Sequence, residues 1–124
     1  MCGIVGYVGD RDISSVLIVG LERLSYRGYD SAGIAVLSED EISVWKKPGK
    51  VHVLAKQLEQ LNIQSNVGIG HTRWATHGIP NEVNSHPHFD AKKRFAIVHN
   101  GIVENYLALK SELIEEGFLF RSQT

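Results

Sequence analysis

Cysteine is nearly missing from this chain: Cys2 is the only one in 124 residues. No internal disulfide can form, which points to a reducing compartment and sets the expectation of a cytoplasmic protein. Long apolar runs are missing too. The stretch from Ile13 to Leu24 is too short to span a bilayer, and Asp10, Arg11 and Asp12 stand where a secretory leader would be positive. Charge of one sign is also lacking, since 13 basic residues are set against 14 acidic ones for a net −1 without a run of either. That excludes a polybasic surface for nucleic acid or membrane. Proline occurs three times, and there is no internal repeat or low-complexity tract. What the chain does have is 43% hydrophobic residues, enough to build the core of one modest domain.

Read in order, Ile4, Val5, Tyr7 and Val8 form a β-branched and aromatic run between glycines, which predicts a buried strand. Asp12 can cap a helix that places Ile13, Val16, Leu17, Leu21 and Leu24 on one face. Gly20 lies on that face at a cost of about 1 kcal/mol to the helix, so tight packing against a sheet is expected there. A polar loop over residues 26–33 leads into a strand over 34–37. Ser38-Glu39-Asp40-Glu41 then turns into a second strand through Ile42 and Val44, with Trp45 on the opposite side and Pro48-Gly49 as the stop. A second amphipathic helix carries Val51, Leu54, Ala55, Leu58 and Leu61. Beyond it come a strand over 67–70, a long loop over 79–90 and a strand over 95–98. A last helix is capped by Asn105, has Tyr106, Leu109 and Leu113 on one face and stops at Gly117. Phe118-Leu119-Phe120 is expected to open one more strand.

Chemistry concentrates where strands meet loops. With Met1 removed, Cys2 would carry a thiol and a free α-amine on one carbon, a nucleophile with its own base; the other reading is a small buried hydrophobe. Asn100-Gly101 at a strand end can offer a side-chain and a backbone N–H to an oxyanion, or simply make a turn. Arg73, beside Thr76 and His77, can clamp a carboxylate through its guanidinium fork or serve in an ion pair. The six histidines match no familiar zinc spacing, and His86-Pro87-His88 has neither cysteine nor a carboxylate pattern near it, so no metal is expected. His86 and His88 are instead expected to bond to backbone and shape the long loop.

Five segments taken together resemble a known family: Cys2-Gly3-Ile4-Val5-Gly6, Tyr26-Arg27-Gly28-Tyr29-Asp30-Ser31-Ala32-Gly33, residues 71–78, His86-Pro87-His88, and Val98-His99-Asn100-Gly101 with Glu104-Asn105. In order and spacing they are similar to the N-terminal glutaminase domain of the glucosamine-6-phosphate synthase family of class II glutamine amidotransferases. The resemblance implies an α+β fold of the N-terminal-nucleophile hydrolase type, an α/β/β/α sandwich of two antiparallel sheets, incomplete in this chain. It implies that Cys2 attacks the side-chain amide of L-glutamine, that Asn100 and Gly101 supply the oxyanion hole, and that Arg73, Thr76 and His77 bind the substrate. Arg27 would support the nucleophile and Trp74 would belong to a closing loop. No cofactor is implied.

In the family, an aspartate that holds the substrate's amino group follows a segment like Arg121-Ser122-Gln123-Thr124. Residues 1–124 are therefore expected to be the N-terminal portion of a glutaminase domain, with little activity alone and with the isomerase domains that take fructose 6-phosphate absent. A homo-oligomer is expected for the full-length enzyme. The presence of Met1 sets the expectation of an unprocessed form. Two other readings stand beside this one: another class II amidotransferase, such as the phosphoribosyl-pyrophosphate type, and a non-catalytic fragment.

Overall fold

Asp12 opens the first helix as expected, its carboxylate accepting the Ser15 N–H at 3.3 Å. The structure, a computed structural model, describes residues 1–124. In chain order it contains β1 (Gly3–Val8), α1 (Ile13–Leu24), a 3-10 turn (Ser25–Arg27), β2 (Ser31–Ser38), β3 (Glu41–Pro48), α2 (Val51–Glu59), β4 (Val67–Arg73), β5 (His88–Phe89), β6 (Ala96–Ile97) and α3 (Tyr106–Glu115). Strands β1 to β4 form one antiparallel sheet in the order β1-β4-β2-β3, and β5 and β6 pair separately.

The four-stranded sheet has two different faces. Against one pack α1 and α2, whose Ile13, Leu17, Leu21, Val51, Leu54 and Leu58 meet Ala32, Ile34 and Val36 of β2 in one buried cluster. Each fully buried Leu, Ile or Val among them contributes about 1.5–3 kcal/mol. Gly20 behaves as its place on the helix predicts: a Cβ there would lie 2.9 Å from both methyls of Val5, so α1 can approach β1 only because Gly20 has no side chain. The opposite face is covered by the segment that leads into β5. There Gly33 lets the His86 carbonyl come so close that a Cβ on Gly33 would collide with it.

Several expectations change. β1 is an edge strand and not a buried one: Val5 and Tyr7 pack against the core, whereas Ile4 and Val8 are exposed. The run of apolar residues was misleading because an edge strand covered on one side needs burial only at alternate positions. β2 starts at Ser31, three residues earlier than expected, because Ser31, Ala32 and Gly33 pair with both β3 and β4. β5 begins within the segment read as loop, and β6 is shorter than the strand expected there. Residues 118–120 form no strand. Leu61 lies beyond the end of α2 and is exposed. Asn105 precedes α3, but its side chain makes no capping bond, and no residue of α3 is buried. Phe95, Ile97, Ile102, Leu107 and Leu119 are more than 60% exposed along this β5, β6 and α3 half.

Candidate active site

Strand parity assembles the site. In β1, Gly3, Val5 and Tyr7 face the helices, so Ile4 and, one step before the strand, Cys2 lie on the other face. Ile4 pairs with His71 and Gly3 with Thr72, and the next step of that register sets Cys2 alongside Arg73. The backbone N–H of Trp74, just past β4, donates to Cys2 Sγ at 3.2 Å, across 72 positions of sequence. From a third region, Asn100 donates through Nδ2 to the Cys2 carbonyl at 3.2 Å, and its Oδ1 lies 2.7 Å from His71 Nε2. Gly101 follows Asn100 directly.

Arg27 also reaches this corner. Its carbonyl accepts from the Met1 ammonium at 2.9 Å, the Gly28 carbonyl does so at 2.7 Å, and the Arg27 guanidinium lies against the Met1 sulfur. Arg73 is almost wholly buried. One of its guanidinium nitrogens donates to the carbonyls of His77 and Gly78 and the other to that of Ile79, so the arginine is the post around which its own loop folds. His77 meets the Tyr106 hydroxyl at 3.0 Å and the Gln123 carbonyl at 2.9 Å. Thr76 is exposed with no side-chain hydrogen bond, and the Trp74 side chain is also exposed. The structure thus brings Cys2, Asn100 and the Trp74 backbone into contact, sets Arg27 against Met1, and places Arg73 at the end of β4 with His77 on the loop that follows. A concavity of about 1020 Å³ lies elsewhere, between Asp12, Leu37 and Leu61, and does not include Cys2.

Beneath the site the histidines stack. His71 and His86 lie 4.2 Å apart ring to ring, and His86 and His88 are 4.4 Å apart edge on. Their expected role as backbone hydrogen-bonders is corrected here: His86 Nδ1 has no partner, and His88 Nε2 meets the Thr124 hydroxyl at 3.1 Å. Burial disfavours the charged form of all three. Burial lowers the His86 pKa to about 3, reinforced by His71 and His88, and lowers that of His88 to about 4, reinforced by Lys46. His71 is lowered by burial against the opposing effect of its Asn100 bond. Lys46, whose ammonium donates to the Ser85 carbonyl at 2.9 Å, is itself lowered by burial, with Glu82 opposing.

Sequence reading passed over three polar groups. His71 was legible as a neighbour of Arg73, because alternation puts 71 and 73 on one face of β4. Asp30 accepts the Ala75 N–H at 2.6 Å and ties the 26–33 loop to the arginine loop. Asn84 is buried and accepts the Gln123 N–H at 2.7 Å while its Nδ2 donates to Gln123 Oε1 at 2.9 Å, which fastens the chain's last residues to the same loop. Neither of these last two contacts has a sequence signal, since each joins segments more than 35 positions apart.

A helix-backed antiparallel sheet with a cysteine at the start of its edge strand, facing an asparagine from a distant turn, is an amidotransferase architecture of the N-terminal-nucleophile type. The same trace recurs in the glutamine phosphoribosylpyrophosphate amidotransferase of B. subtilis solved with ADP and GMP. There the TM-score is 0.81 at 25% identity, over 100% of this chain and 27% of that one. It recurs again in a structure described as the allosteric regulatory enzyme of purine biosynthesis, with a TM-score of 0.80 at 24% identity over 98% of this chain and 27% of that one.

The chain belongs to the glutamine amidotransferase domain family, whose profile matches residues 57–124. Among curated relatives, the glutamine–fructose-6-phosphate aminotransferase (isomerizing) of Pyrococcus horikoshii is 56% identical over the whole of this chain and 21% of its own length. The Aquifex aeolicus protein of that name is 58% identical over 100% of this chain and 21% of its own. The chain therefore spans about a fifth of the length of the curated relatives it matches.

Proposed function

We propose that residues 1–124 are the N-terminal portion of a glutaminase domain whose parent enzyme uses glutamine-derived ammonia to convert fructose 6-phosphate to glucosamine 6-phosphate in the cytoplasm. The carrying observation is the Asn100 side chain donating to the Cys2 carbonyl from 98 positions away, which sets an amide N–H donor beside the only thiol of the chain. After removal of Met1, the α-amine of Cys2 takes the thiol proton and Sγ bonds to the glutamine side-chain carbon. The carbonyl oxygen becomes an oxyanion held by Asn100 and Gly101 N–H groups. The carbon–nitrogen bond then breaks as the α-ammonium returns its proton, releasing ammonia, and water hydrolyses the thioester to glutamate. Arg73 pairs with the substrate's α-carboxylate, with Thr76 and His77 beside it, while Arg27 supports the start of the chain and Trp74 belongs to the closing loop. The carbonyls of residues 77–79 already accept from the Arg73 guanidinium, so the carboxylate would share it with them.

In the full-length enzyme, Cys2→Ala should abolish the use of glutamine and leave the use of free ammonia intact; loss of both would show Cys2 to be structural. An electrophilic glutamine analogue should label Cys2 and be blocked by glutamine, whereas the isolated 124 residues should turn over little glutamine. The likeness of fold to the phosphoribosylpyrophosphate enzymes favours a second reading, with a different ammonia acceptor. Stimulation of glutaminase activity by fructose 6-phosphate and not by phosphoribosyl pyrophosphate would separate the two.

A further inference from the structure

An asparagine is useful to an oxyanion only if its NH2 group, and not its carbonyl oxygen, faces the reacting carbon. The two ends of the amide have nearly the same shape, so something outside Asn100 must choose between them. Packing does not make that choice, since Asn100 is exposed. Only two polar partners lie within reach: the Cys2 carbonyl, 3.2 Å from Nδ2, and His71 Nε2, 2.7 Å from Oδ1. The carbonyl can only accept, so it favours the amide nitrogen but gives the amide oxygen no donor of its own.

We infer that His71 is a positioning residue, whose Nε2–H fixes the Asn100 amide with its oxygen turned inward and its nitrogen toward the thiol. The inference rests on the proposed role of Asn100. The ring has the means to do this. His71 is fully buried on β4, stacked on His86, and its Nδ1 makes no hydrogen bond. Placing the proton on Nδ1 would bury an unpartnered N–H and leave the Nε2 lone pair facing the Asn100 oxygen. Rotating the amide to mend that contact would point Oδ1 at the Cys2 carbonyl, acceptor against acceptor. One tautomer and one amide orientation satisfy all the contacts together, with the proton on Nε2. Asn100 then spends one N–H on the Cys2 carbonyl and keeps the second for the substrate. Burial of the ring disfavours its charged form and so works against a charge behind the oxyanion donor.

The test compares His71→Gln with His71→Met in the full-length enzyme. The two side chains match in length and differ in the N–H that can reach Asn100 Oδ1. His71→Gln is expected to keep most of kcat for glutamine hydrolysis. His71→Met is expected to lose about 10–100-fold in kcat, less than outright loss of an oxyanion donor, with KM for glutamine unchanged. Alkylation of Cys2 by iodoacetamide, which needs no oxyanion hole, should proceed at the same rate in both. In an Asn100→Ala background the difference between Gln and Met should vanish, because the residue being oriented is gone. Equal kcat for the two variants overturns the inference even if both are slow. So does a Gln–Met difference that persists without Asn100, which would mark a purely structural role. If Asn100→Ala itself retains full kcat, the oxyanion reading fails, and the positioning role fails with it.

Discussion

At the scale of single residues, the proposed chemistry depends on a thiol, an amide and a guanidinium delivered by three separate segments. Asn100→Ala in the full-length enzyme should lower kcat for glutamine hydrolysis by about 10²–10³ and leave KM nearly unchanged, since the oxyanion exists only after attack. Steady-state glutaminase kinetics check this, and a rise in KM at constant kcat would place Asn100 in ground-state binding. Cys2, Arg73 and Asn100 could be picked out in the sequence because a thiol beside the first residue, an arginine in a Thr/His loop and an Asn-Gly at a strand end are uncommon pieces of chemical equipment. Their partners could not. That Asn100 touches both Cys2 and His71, and that Asp30 holds the backbone of the arginine loop, depends on which strands are neighbours.

At the scale of elements, helix periodicity located α1 and α2 well, because each buries one face whose apolar spacing is written directly in the chain. Gly20 shows how tight that packing is. Gly20→Leu should destabilise by about 1–3 kcal/mol through overpacking against Val5, and Leu17→Ala by about 2–5 kcal/mol through the cavity it leaves. Urea unfolding of the full-length protein would measure both. An unchanged midpoint for Gly20→Leu would mean that α1 and β1 can separate at little cost. Strand edges were harder to read. Edge strand β1 and core strand β2 are similarly apolar, and what separates them is that β2 is paired on both sides while β1 is paired on one. Residues 79–90 read as an irregular loop because their order comes from contact with the sheet face, with Lys46 donating to the Ser85 carbonyl and Asn84 bonded to Gln123.

At the scale of the whole molecule, the stacked histidines give stability a pH dependence of definite sign. Each buried ring has a pKa below the ordinary value of 6.5, to about 4 for His88 and about 3 for His86, so the unfolded chain binds protons more readily than the folded one. Stability should be fully present above pH 6.5 and be lost progressively as the pH falls from there towards 3. His86→Phe, which keeps a ring against His71, should flatten that decline; a slope identical to wild type would show that His86 does not carry it. Urea midpoints measured across this range make the comparison.

The sequence by itself determined the helices, the candidate site residues and the family, because periodicity, chemical type and motif order are local or linear properties. It also determined which face of β4 each residue takes, since parity needs no partner. Only the tertiary structure decided that β1 is an edge, that Arg73 anchors its own loop, and that His71 stands behind Asn100. Each of these depends on segments brought together from far apart in the chain, and contact at that range is set by how the sheet and its covering layers pack.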